Sequence, residues 1–103
     1  MSELERNLAV ATQWSPAFKL VGDTTRLKLL VAIHFAGPGA TTVSELARVT
    51  GVKLATASAA LRAMESSGAV SSTREGRQIY YAIANGEIHR LLHWIGSGHS
   101  ADS

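Results

Sequence analysis

The sequence contains no cysteine. That one absence removes disulfides, thiolate metal ligation, cysteine nucleophiles and thiol switching together. Nor does any apolar run approach the roughly 20 residues that a membrane span needs. The longest, from Leu27 to Gly37, is interrupted by Lys28 and His34. The opening Met1-Ser2-Glu3-Leu4-Glu5 carries acid where a signal peptide would carry basic residues and then an apolar stretch. A cytoplasmic location without membrane contact is therefore expected. Catalytic signatures are missing too: there is no Gly-x-Ser-x-Gly, no glycine loop to cradle phosphate, and no pair of acids on strands. The four histidines stand without an obvious nucleophile, and an enzyme is not expected.

What is present suits a single globular domain. The chain has 103 residues, 46% of them apolar and 17% charged, which is enough to bury a core and too apolar for disorder. The net charge of +2 is a weak argument for an acidic partner. Position says more than the total. Arg48, Lys53, Arg62, Arg74 and Arg77 fall mid-chain, opposed there by Glu45, Glu65 and Glu75.

Capping patterns and periodicity divide the chain. Ser2-x-x-Glu5 opens a first helix carrying Leu4 and Leu8, and Ser15-Pro16 reads as the start of a second, short one ending at Gly22. Asp23 caps a helix to about Ala36, with Leu27, Leu30, Val31 and His34 or Phe35 as its buried stripe. Gly37-Pro38-Gly39 stops it. Thr42-x-x-Glu45 opens a helix that Gly51 closes, and another runs from about Leu54 to Ser67, with Ala57, Leu61 and Met64 inward. The period then changes to two. Residues 69–74 and 77–83 flank Glu75-Gly76 as a hairpin, and Asn85 caps a last helix bearing Ile88, Leu91, Leu92 and Ile95. The expected fold is α+β and mostly helical, with five to six helices and one β-hairpin. Residues 1–96 form the domain and 97–103 a flexible tail.

Two short helices joined through a glycine turn, followed by a hairpin with bases beside its tip, describe a winged helix-turn-helix. A helix fits the major groove, and Arg74 and Arg77 at the wing can meet phosphates. On the exposed face of the second helix, Lys53, Thr56, Ser58 and Arg62 are the candidates for DNA contact. The expected partner is double-stranded DNA bearing an inverted repeat. Leu4 and Leu8 on the first helix, with Ile88, Leu91, Leu92 and Ile95 on the last, make two apolar stripes that a symmetric homodimer would bury. Trp14 and Trp94 join that expected interface.

Several segments are also similar to one family in register. Gly22-Asp23-Thr24-Thr25-Arg26-Leu27-Lys28-Leu29-Leu30, Glu45-Leu46-Ala47, Ser58-Ala59-Ala60-Leu61, Gly68-Ala69-Val70 and Glu75-Gly76-Arg77 through Tyr80-Tyr81 resemble the ArsR/SmtB repressors across roughly residues 17 to 95. The resemblance implies a homodimeric winged-helix repressor that binds an operator and, in many members, responds to a metal ion. Two departures stand out. Thr24 replaces the usual proline, and Ala59 and Ala60 follow Ser58 where the family often places a base-reading polar residue.

The resemblance also directs attention to effector ligands. Thr42 and Ser44 occupy the positions of the family's Cys-x-Cys site and are poor ligands, so that site is absent. A second family site spans the dimer along the last helix. Glu87 and His89 match its first half, and His99 with Asp102 approximate the second. Imidazole and carboxylate ligands suit zinc, nickel or cobalt. A competing pair is His89 with His93, four apart on one helical face. His34 reads as a core histidine with a satisfied ring nitrogen. The alternative reading is a winged-helix regulator without its own metal site, controlled by a separate sensor protein or an organic effector.

Overall fold

Among the described residues, side-chain caps start four of the five helices. Ser2, Asp23, Thr42 and Asn85 each accept a hydrogen bond from the backbone N–H three residues on, satisfying a donor that the first turn leaves orphaned. The computed structural model describes residues 1–100. In chain order the elements are α1 (Glu3–Val21), α2 (Thr24–Ala36), β1 (Thr41–Thr42), α3 (Val43–Thr50), α4 (Leu54–Ser66), β2 (Val70–Glu75), β3 (Gln78–Ile83) and α5 (Gly86–Trp94). The strands form one antiparallel sheet in the order β1-β3-β2. No helix among the described residues is long and apolar enough to cross a membrane.

Three local expectations are corrected. The first two helices are one, because α1 runs through Pro16. Proline removes the hydrogen bond to the Thr12 carbonyl, but both residues are exposed and water can serve that carbonyl. Beyond Pro16 the helix is held by packing, with Ala17 buried and Leu20 and Val21 against the core. The hairpin turn is also shifted by one residue. Glu75 pairs with Gln78, so Gly76-Arg77 is the two-residue loop, and Gly76 takes φ 62 at its first position. A short strand appears as well: Thr41 and Thr42 pair with Tyr81 and Tyr80 just before α3 starts.

The core gathers around α2, which touches α1, α3, α4, α5 and β3. Surrounded this way, α2 buries Leu29, Leu30, Ile33 and His34, while Leu27 and Val31 are half-buried and Phe35 is exposed. Leu46, Leu61, Met64, Val70 and Leu92 complete the fully buried set of large side chains. Here the stripe read from α5 splits. Ile88 and Leu92 belong to the core of their own chain, Leu91 is half-buried, and only Ile95 and Trp94 face outward.

The Asp23–Arg26 segment ties α1 to α2. Arg26 donates Nε to the Leu20 carbonyl at 2.8 Å and Nη2 to the Lys19 carbonyl at 3.3 Å, placing a cation on the last turn of α1. The other end of α1 is bare. Every residue from 1 to 13 is exposed, and the molecule measures 52 × 30 × 23 Å.

Candidate nucleic-acid interface and histidine cluster

The turn between α3 and α4 is three residues long, Gly51-Val52-Lys53, and needs a left-handed residue to close α3. Gly51 supplies it at φ 73. Thr50 steadies the same turn, donating Oγ1 to the Leu46 carbonyl and accepting from the Val52 N–H. α4 then buries Ala57, Leu61 and Met64, as its periodicity predicts, and turns Leu54, Ala55, Thr56, Ala59, Arg62 and Ala63 to solvent.

Of the residues expected to meet DNA, Lys53, Thr56, Arg62, Arg74 and Arg77 are exposed, and Ser58 is half-buried. Lys53 stands just ahead of α4 without a side-chain capping bond. Arg62 donates Nη1 to Ser58 Oγ at 3.2 Å, so these two candidates act as a unit. Arg77 sits in the loop of the wing, and Arg74 pairs with Ile79 on its stem. α4 packs on β2, and Ser72 donates to Glu65, fastening the wing to the helix. Arg48 on α3 is engaged instead with Glu45, whose carboxyl is held below its usual range by that guanidinium.

The second constellation lies where α2 packs on α5. His34 of α2, His89 and His93 of α5, and His99 beyond it each offer one ligand atom, and these atoms all lie within 4.8 Å of one another. His34 is buried at 3% exposure. Its Nε2 stands 3.2 Å from His93 Nε2, and its Nδ1 is 2.9 Å from Ser97 Oγ. His99 donates Nδ1–H to the His34 carbonyl at 3.1 Å. Beneath them, Ile33, His34, Gly37, Pro38, Ile83, His89 and His99 line a cavity of about 110 Å³.

The expected ligands thus divide. His89 and His99 come together, and the alternative partner His93 joins them. Glu87 is outside the cluster: its Oε1 accepts from Gln13 Nε2 of α1 at 3.0 Å, which keeps its carboxyl below the usual range. Asp102 lies outside the described residues. His34 is a core residue with a partnered ring nitrogen, as read from the sequence, and it is also the cluster's inner member. No local signal marked it, because its partners are 59 to 65 residues away along the chain.

No family model matches the sequence. An HTH-type transcriptional regulator of Mycobacterium tuberculosis is 35% identical over 88 residues, 85% of this chain. The chain spans only 38% of that relative's length. Among solved structures, the homodimeric winged helix-turn-helix DNA-binding domain of a Mycobacterium bovis protein, a possible ArsR-family transcriptional regulator, shares 33% identity over 92% of this chain and 83% of its own, with TM-score 0.67. The antimony-specific transcriptional repressor AntR is 29% identical over 84% of this chain and 76% of its own, with TM-score 0.74.

Proposed function

Because this chain belongs to the ArsR-type winged helix-turn-helix transcriptional regulators, we propose that it binds operator DNA as a homodimer, in the manner of a repressor, under the control of a divalent transition-metal ion. The observation that carries the reading is α4: a helix seated on a buried face, presenting Thr56 and a Ser58–Arg62 pair to solvent, beside a wing tipped by Arg77. In this reading α4 enters the major groove, while Arg74 and Arg77 neutralise phosphates. Lys53 stands at the mouth of the helix, where a phosphate would meet it.

Dimerisation is supported by the homodimeric relative and by what α1 leaves bare. Leu4 is 66% exposed and Leu8 57%, and Trp94 at the end of α5 is 84% exposed. α1 and α5 pack together through Gln13 and Glu87, so these uncovered side chains belong to one helical pair. A second copy would cover them across a two-fold axis, and the two α4 helices would then meet successive major grooves about 34–36 Å apart.

Metal control is supported by the histidine cluster and by an antimony-specific relative. With no thiolate available, the ions that suit these ligands are zinc, nickel or cobalt. The direct test of function is selection from a random duplex library. The expected result is enrichment of an inverted repeat, bound by two chains and protected at both half-sites. Recovery of no common sequence, with binding abolished by modest salt, would leave only a non-specific basic protein.

A further inference from the structure

We propose that His34, His89, His93 and His99 of a single protomer form a four-imidazole site for one zinc or cobalt ion. Its ligands come from α2, α5 and the segment just after α5. Unlike a site shared along two last helices, it needs neither Glu87 nor a second chain. The consequence for regulation rests on the functional reading above, whereas the ligand set stands on geometry.

Spacing is the first argument. Two nitrogens each 2.0–2.1 Å from one tetrahedral ion stand about 3.3–3.4 Å apart. His34 Nε2 and His93 Nε2 are already at 3.2 Å, close to the separation that an ion between them requires. His89 lies one turn before His93 on the same face of α5, and all four ligand atoms lie within 4.8 Å of one another.

Proton placement is the second. A carbonyl oxygen only accepts, so the bond from His99 to the His34 carbonyl puts the proton on His99 Nδ1. In the neutral ring the lone pair is then on Nε2. His34 is built the same way when its Nδ1–H donates to Ser97 Oγ, which turns the Nε2 lone pair toward His93. Metal-binding histidines characteristically have one ring nitrogen fixed by such an outer partner, setting tautomer and ring orientation. Here the two outer partners are Ser97 Oγ and the backbone of α2 itself.

Position gives the site a consequence. α2 also packs on α3 and α4, and α5 packs on α1, the helix that leaves Leu4 and Leu8 bare. An ion gripping α2 and α5 together fixes the dimerisation helices relative to the reading helix. It shifts DNA affinity only by its differential affinity for the two arrangements.

The test uses the full chain, stripped of metal and titrated with Co(II). Wild type should develop the intense visible bands of tetrahedral Co(II) at one ion per protomer, and zinc should displace it. His89→Gln and His99→Gln, at exposed or half-exposed positions, should each weaken binding by at least about tenfold, and Ser97→Ala by about tenfold through its outer contact. His34→Gln should do the same; because His34 is buried, Ser97→Ala reports on that ligand if His34→Gln does not fold. Glu87→Gln should bind like wild type. A mixed dimer of His34→Gln and His89→Gln chains should hold no ion at full affinity, whereas a site shared between chains would restore one. Absence of tetrahedral bands in wild type, undiminished binding by His89→Gln and His99→Gln, or loss in Glu87→Gln would each overturn the site. DNA binding with and without Co(II) is read separately. Metal-dependent DNA binding that survives in the histidine variants refutes this site and keeps the regulatory reading. Tight ion binding without any effect on DNA keeps the site and refutes that reading.

Discussion

Replacing Leu92 by alanine separates two roles that α5 combines within a single turn. Leu92 is 0% exposed inside its own chain, whereas Trp94, two residues on, is 84% exposed. Leucine-to-alanine changes at fully buried sites cost about 2–5 kcal/mol, the spread reflecting how far the surroundings can collapse. α5 is a short helix packed on α1 and α2, so partial collapse is available and about 3 kcal/mol is the expected loss. A chain of this size has about 5–15 kcal/mol in total, and each kcal/mol moves Tm by about 4–8 °C. Leu92→Ala should therefore melt roughly 12–24 °C lower than wild type. Its association, measured by sedimentation below its melting range, should hardly change. Trp94→Ala should do the reverse, keeping the fold and weakening association by about 2 kcal/mol, as the loss of a central interface aromatic does. Circular-dichroism melts at several concentrations, paired with sedimentation, measure both. If Leu92→Ala shifts the monomer–dimer equilibrium and leaves Tm within a few degrees, Leu92 faces the partner and the core assignment of α5 is wrong.

Three further outcomes are expected. Arg26→Lys keeps the charge but not the guanidinium fork that reaches two carbonyls of α1, so urea melts should show about 1 kcal/mol less stability, a modest loss because the group is half-exposed; an unchanged midpoint would remove the capping role. Arg77→Ala should weaken binding to every duplex alike and reduce the log–log salt slope by about 0.9 if one phosphate contact is lost, which fluorescence anisotropy at four salt concentrations reads directly. Burial pushes the Tyr81 phenol above its ordinary value, so the folded state holds that proton more tightly than the unfolded chain. The linked stability is full below about pH 10 and is lost as pH rises through the folded value, so Tyr81→Phe should flatten the alkaline limb of a stability–pH curve.

Local chemistry was readable where it acts within four residues. Ser2, Asp23, Thr42 and Asn85 were assigned as caps from sequence, and all four make the bond. The same local logic misread Ser15-Pro16, since a proline start signal cannot report that Ala17, Leu20 and Val21 hold the helix straight through it. Burial on α2 was read only in part: Leu30 and His34 are buried and Leu27 and Val31 pack against the core, but Leu29 and Ile33 are buried too, because amphipathic reading assumes one covered face and α2 is covered by five elements. β1 was missed because two residues carry no strand pattern until Tyr80 and Tyr81 pair with them. For the candidate DNA-contact residues, spacing foretells their placement on the outer side of α4 and on the wing. The histidine cluster was half legible, since His89 and His93 are neighbours on one helix, while His34 reaches them only through the packing of α2 on α5.

The bare first half of α1 makes assembly visible to hydrogen exchange. A helical segment shorter than about 12–15 residues is marginal in water, and residues 3–12 are all exposed within their own chain. Amide protons there are protected only as far as something covers Leu4 and Leu8, while those of Leu29, Leu30 and Ile33 open with the core. Deuterium uptake in this one segment, followed against dilution, becomes a clock for subunit encounter. It registers the moment a chain loses its partner, before any loss of helix elsewhere.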